Sequence, residues 1–165
     1  MIEDLGPVQR FAAGAIGPPG DRRFYLEVVA DGRPISLLTE KGQVAELATR
    51  GVEVLDEHGI STDDGAVAQI VSEGLDIDDP GEGGERFRVR EVTIGLAPSE
   101  LLTVTIEAAD VDDGITFVIA PEQFRAMALV ALQVVAAGRP ACPWCRLPID
   151  PGGHECPARN GHSPP

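Results

Sequence analysis

Hydrophobic and polar residues alternate from Arg23 to Ala30. Phe24, Leu26, Val28 and Ala30 fall on one side, and Arg23, Tyr25, Glu27 and Val29 on the other. That is the two-residue period of a strand with one buried face. Asp31-Gly32 follows, a pair favoured in type I′ hairpin turns, and Pro34–Leu38 runs back as the partner strand. Upstream, Arg10–Ile16 predicts another strand. It is joined to the next by Gly17-Pro18-Pro19-Gly20, which no regular element accommodates. From Thr39 to His58 the period lengthens to that of a helix, with Val44, Leu47, Ala48, Gly51 and Leu55 on one face. Thr39 is the expected N-cap, and Gly59 the residue just past the helix end.

The same order returns further along the chain. Arg86–Leu96 predicts a strand with a bulge near Arg90-Glu91, where the alternation changes phase. Leu101–Ala108 alternates cleanly, and Ile115, Phe117 and Ile119 mark a sixth strand. Pro121 then begins a helix at the position where proline is tolerated, and Gly138-Arg139-Pro140 closes it. Each half, about 8–58 and 86–138, therefore reads strand, strand, strand, helix, an order that suggests an internal duplication. The expected fold class is α+β: duplicated βββα units forming a six-stranded, mainly antiparallel sheet or open barrel with two helices, plus a C-terminal zinc knuckle. The domains are then 1–138 and a knuckle and tail over 139–165.

Residues 59–85 between the halves are acidic. Asp63–Ser72 suits a short helix with Val67, Ile70 and Val71 turned inward. Glu73–Glu85, rich in acids and glycine, is expected to be a mobile linker. Asp76, Asp78 and Asp79 lack the register of a calcium-binding EF-hand loop. The helix over 124–137 is apolar nearly all round, with Phe124, Met127, Leu129, Val130, Leu132, Val134 and Val135. A helix lying on one sheet needs a single apolar stripe, so its second face must be covered by the linker, the tail or another chain. A protein–protein contact through this helix, self-association in its simplest form, is the expectation.

Composition narrows the function classes. The 165 residues carry a net charge of −14, which disfavours a nucleic-acid-binding body. Three arginines in the tail, Arg139, Arg146 and Arg159, are offset by Asp150 and Glu155 and do not reverse this. No stretch resembles a signal-peptide core or is long enough to cross a bilayer, so no membrane insertion is expected. The three cysteines are too few for a secreted disulfide framework, and the expected setting is a reducing cytoplasm.

Those three cysteines all lie in one short window. Cys142-Pro143-Trp144-Cys145 is followed, after eight residues, by His154-Glu155-Cys156-Pro157. Two cysteines separated by two residues can turn both sulfurs to one ion, and Cys₃His is a standard structural zinc set. Pro148, Pro151, Gly152 and Gly153 supply the turn that brings the second pair back. His154 has the better spacing for the fourth ligand, and His162 is the alternative. Four protein ligands leave no position for an activated water, so the expected Zn²⁺ is structural and orders a segment with little core of its own. Redox chemistry of the CxxC pair is the competing assignment. A thioredoxin-like motif, however, starts a helix after a strand, whereas this one sits among prolines. Trp144 either packs the knuckle onto the body or offers an anchor to a partner.

Other candidates carry less chemistry. The 17–23 loop could cradle an anion with Arg22 or Arg23 as counter-charge, or be a plain hairpin connection. Lys41, the single lysine, lies in the first turn of a helix where a cation opposes the macrodipole. It therefore either pairs with an acid such as Glu40 or makes a specific contact. An enzyme or small anionic-ligand binder would use that loop and Lys41 together. No nucleophile–base pair emerges around His58 or the serines, so no catalytic residue is assigned. The leading expectation is a non-catalytic zinc-containing protein, an interaction or adaptor module.

Taken together, the chain resembles an actinobacterial family, domain-of-unknown-function family three thousand and ninety. The likeness runs from about Arg10 to Gly161. It rests on Gly17-Pro18-Pro19-Gly20-Asp21-Arg22-Arg23-Phe24-Tyr25-Leu26, on Glu40-Lys41-Gly42-Gln43-Val44 and, most specifically, on the Cys142–Pro157 tail. It departs at Glu27, where the family tends to have glutamine, and in its acidic linker. The resemblance implies a cytoplasmic protein with a zinc tail. It also implies gene neighbours resembling lipid kinases and histidine phosphatases, which hint at partners only. It implies no activity.

Overall fold

The computed structural model describes residues 1–138, 141–147, 149 and 153–158. Ten elements follow in chain order: β1 (Ile2–Pro7), β2 (Arg10–Ile16), β3 (Arg23–Ala30), β4 (Arg33–Thr39), α1 (Lys41–Glu57), α2 (Asp64–Glu73), β5 (Phe87–Leu96), β6 (Leu102–Ala108), β7 (Gly114–Ile119) and α3 (Pro121–Ala136). The seven strands form one mixed sheet in the order β1-β7-β6-β5-β4-β3-β2. The fold is thus α+β, the expected class, with a sheet that does not close.

Local chemistry explains where the elements start and stop. The β3–β4 turn places Asp31 and Gly32 both at positive φ, 49° and 71°, which is the type I′ geometry. Asp63 accepts a hydrogen bond from the Ala66 N–H and caps α2. In both α1 and α3 the third-position glutamine reaches back to the N-cap N–H, Gln43 to Glu40 at 2.9 Å and Gln123 to Ala120 at 3.3 Å.

Several expectations need correction. A seventh strand, β1, pairs in parallel with β7. Ile-Glu-Asp-Leu-Gly-Pro has no alternation, and its burial pattern confirms that an edge strand exposed along its first half leaves none to read. Among the described residues the helices number three rather than two, because α2 is packed against α3 as a full member of the fold. The N-cap of α1 is Glu40; Thr39 instead ends β4, and its hydroxyl bonds Gln43 Oε1. The segment expected as a mobile linker has a docked stretch. Leu75 is buried, and Ile77 packs so tightly on Gly14 that an added β-carbon there would stand 2.6 Å from Ile77 Cγ1. Asp78 N–H donates to Glu27 Oε2 at 3.1 Å, and Arg10 binds Glu27 Oε1 and the Asp76 carbonyl. This strap covers the outer face of β2 and explains why Tyr25 and Glu27 are buried rather than solvated.

The strap and α2 also cover part of α3. Ala126 and Val130 pack with Val67, Ile70, Val71, Leu75 and Ile77 in a small second core. The main core lies between the sheet and helices α1 and α3. In it Phe11 meets Phe117 edge-on at 5.1 Å and Phe124 at 6.5 Å. Phe11 and Phe117 sit on strands far apart in sheet order, so the sheet curls strongly. At the curl the chain steps from one edge to the other: Val8 N–H donates to Val118 O, and Gln9 N–H to Val29 O.

Gln43 of α1 donates to the carbonyls of Val89 and Arg90 in β5, while Gln123 of α3 donates to the Gln9 carbonyl just before β2. β4 pairs in parallel with the start of β5, as β7 does with β1. The bulge of β5 lies between Val89 and Glu91, where the phase change predicts it.

Candidate metal centre

The chain after α3 turns twice within a few residues. Cys142 N–H donates to the Leu147 carbonyl at 2.8 Å, and Arg146 N–H to the Cys142 carbonyl at 2.9 Å. This tight loop needs left-handed backbone at Arg146, φ 65°, directly after Cys145. It folds Cys142 and Cys145 onto one side, as the two-residue spacing requires. Gly153, at φ 97°, redirects the chain just before His154, a conformation that glycine adopts without strain.

The outcome is a group of four potential ligand atoms, from Cys142, Cys145, His154 and Cys156, all within 4.8 Å of one another. Cys142 Sγ lies 3.7 Å from Cys156 Sγ, and Cys145 Sγ lies 3.8 Å from His154 Nε2. Cys142 is buried and the other three are half-buried. The electrostatics favour a thiolate at Cys142. The backbone N–H groups of Cys145 and Trp144 aim at its sulfur, His154 and Cys156 add to this, and its pKa falls to about 6 against the opposing effect of burial. Burial pushes the Cys145 thiol up instead, and the neighbouring sulfurs of Cys156 and Cys142 add to that rise. Such a cluster, with one thiol ready to ionise and no disulfide formed, could hold a metal ion.

The four residues singled out from the sequence are therefore the four brought together. His162 lies outside the described residues, as do Arg139, Pro140, Pro148, Asp150, Pro151 and Gly152. Trp144 is half-buried, and its indole nitrogen is buried without a hydrogen-bond partner among the described residues.

The remaining candidates separate. Arg22 and Lys41 line a common hollow with Gly20, Phe24 and Gly138. Arg23 does not join them; it lies over the Tyr25 ring and 3.9 Å from Glu85. His58 ends α1, with its Nδ1 2.8 Å from the Val54 carbonyl, a helix-terminal contact. The Arg10–Glu27 pair, whose carboxylate is buried and whose guanidinium is partly exposed, depends on a strap distant in sequence. In the sequence the pair is marked only by a carboxylate in the middle of β3, on the side that also carries Arg23 and Tyr25.

No helix among the described residues is long and apolar enough to cross a membrane. Neither the curated proteins nor the solved structures give a match to the chain. The model of one protein family, described as a protein of unknown function (DUF3090), matches residues 4–156, from within β1 to the last cysteine of the cluster. The fold and the candidate centre thus lie inside one family unit, and the chain belongs to the DUF3090 family.

Proposed function

We propose that Cys142, Cys145, His154 and Cys156 bind one structural Zn²⁺, and that the protein is a non-catalytic interaction module whose tail is ordered by that ion. The observation that carries this is the spacing of the donor atoms. A tetrahedral zinc with Zn–S near 2.3 Å implies sulfur–sulfur edges of about 3.8 Å, and the Cys142–Cys156 separation is 3.7 Å. Three thiolates and an imidazole are the soft and borderline donors that zinc selects over harder cations. With all four positions filled by protein, the ion supplies crosslinking rather than an activated water. The body, residues 1–138, would fold around its own core, and the tail, 139–165, around the metal.

The interaction role is supported by α3. Although α1 and α2 cover most of it, Leu129 and Leu132 remain 51% and 41% exposed. The matching glutamine caps and parallel strand pairs favour an origin of the body by duplication of a βββα unit.

The test is elemental analysis of the full chain purified under reducing conditions, followed by thermal melts with and without chelator. One zinc per chain, lost in Cys145→Ser, with chelation disordering the tail and sparing the body, is the expected result. Metal-free protein that readily forms a disulfide between Cys142 and Cys145 would overturn the assignment in favour of thiol redox chemistry.

A further inference from the structure

At the C-terminal end of α3, two cations face one hollow with no acid between them among the described residues. Arg22 is held from two sides. Its guanidinium lies 5.0 Å from the centre of the Phe24 ring, and its Nη1 donates to the Val134 carbonyl at 3.0 Å. Lys41, the first residue of α1, makes no hydrogen bond or ion pair among the described residues. The two charges are close. A β-carbon added to Gly138 would stand 3.1 Å from Lys41 Nζ and 3.4 Å from Arg22 Nη2. Gly20, Phe24 and Gly138 complete the walls of a hollow of about 160 Å³.

Helix capping accounts for Arg22, whose donor satisfies a terminal carbonyl of α3. It does not account for Lys41. A second cation brought beside the first is repelled, and Lys41 also sits at the positive end of α1. The C-terminal dipole of α3 supplies only about half a negative charge in return. The acids adjacent in sequence, Asp21 and Glu40, form no ion pair with either cation. A chain with net charge −14 thus holds a small pocket of positive charge that no acid among the described residues pairs.

We propose that this hollow binds the phosphoryl group of a small phosphate or phosphate monoester, bridged between Arg22 and Lys41. A phosphoryl group carries about 1.5 to 2 negative charges near neutral pH, which matches the excess. Its tetrahedral oxygens can divide between the planar edge of a guanidinium and a point-charge ammonium. The volume suits the headgroup alone, being below the roughly 300 Å³ at which pockets for whole organic ligands begin. Gly138 leaves the space, since a β-carbon there would crowd Lys41 Nζ and touch Arg22 Nη2.

Titration of the full chain with inorganic phosphate, by calorimetry at fixed ionic strength against chloride, tests this. Saturable binding at one site is expected. Lys41→Ala and Gly138→Ala should each weaken it by about tenfold or more, while Arg88→Ala, at an exposed position on β5, should leave it unchanged. Lys41 is exposed and Gly138 lacks positive φ, so both variants should fold, with melting curves as the check. A parallel titration with phenyl phosphate separates the two sources. Tighter binding than inorganic phosphate would assign an ester, and weaker binding the free ion, both within the proposal. Absence of saturable binding, equal displacement by chloride, or binding untouched by Lys41→Ala would overturn it.

Discussion

Gly51 in α1 faces Phe124 in α3 where the two helices pack. A β-carbon on residue 51 would lie 2.0 Å from both Cε1 and Cζ of that ring and 3.0 Å from Cε2. Carbon atoms pack best at about 3.5–4.0 Å, so Gly51→Ala requires a displacement of about 1.5 Å. The ring has nowhere to go. Phe124 is fully buried and lies against Phe11, which is itself held edge-on by Phe117. The helices must therefore separate, and overpacking of this kind costs about 1–3 kcal/mol, occasionally more. Against that stands the better helix propensity of alanine, about 1 kcal/mol. With a clash this deep the overpacking wins, and we expect a net loss of about 1–2 kcal/mol. Urea unfolding of the full chain reads the change as a lower midpoint at unchanged slope. Phe124→Leu should be destabilising alone yet partly relieve Gly51→Ala, giving a coupling of about 1 kcal/mol between the two sites. A Gly51→Ala chain as stable as its parent, or strictly additive costs in the double variant, would refute this packing.

Other expectations follow from the strap and the ion pairs. Gly14→Val should expel Ile77 and release the strap while leaving the main core intact. Limited proteolysis should then cut near residues 79–85 faster than in the parent, and unchanged cleavage would count against the docked strap. Arg86 binds Asp113 through two hydrogen bonds, 2.9 and 2.7 Å, and Glu3 at 2.6 Å, joining β1 to the residues just before β5 and β7. The Arg86 side-chain hydrogen bonds, helped by the Gly114 N–H, hold the Asp113 carboxyl below the usual carboxylate range. Its stabilising contribution is therefore full above the unfolded-state pKa of about 3.9 and is lost as the pH falls through the lower folded value. Asp113→Asn should flatten that acid limb of stability in chemical unfolding from pH 5 to 2, and an unchanged limb would remove Asp113 from the account.

Much of the fold was legible because its signals are local. The β3–β4 hairpin is written in the alternation from Phe24 to Ala30 and in Asp31-Gly32, and the bulge of β5 in the phase change at Arg90-Glu91. The start of α3 is written in Pro121. Each depends on residues only a few positions apart. The strand β1 was not legible, since it is half-exposed and owes its existence to hydrogen bonds with β7, more than a hundred residues away. The docked strap was masked for a related reason. Its acids and glycines have the composition of a linker, and only Leu75 and Ile77 mark it as a segment with a surface to cover.

The sequence by itself determined the grouping of Cys142, Cys145, His154 and Cys156, because ligands a few residues apart on a short turn have little choice but to meet. It equally determined the order of strands and helices from β2 onward, through periods of two and of three to four residues. Only the tertiary structure decided what covers α3, why Glu27 is buried, why residue 51 is glycine, and that Arg22 and Lys41 share one hollow with Gly138. Those facts depend on pairings between segments distant in the chain. A pattern of hydrophobic and polar positions says that a face must be covered, but the shape and charge of the whole assembly choose what covers it.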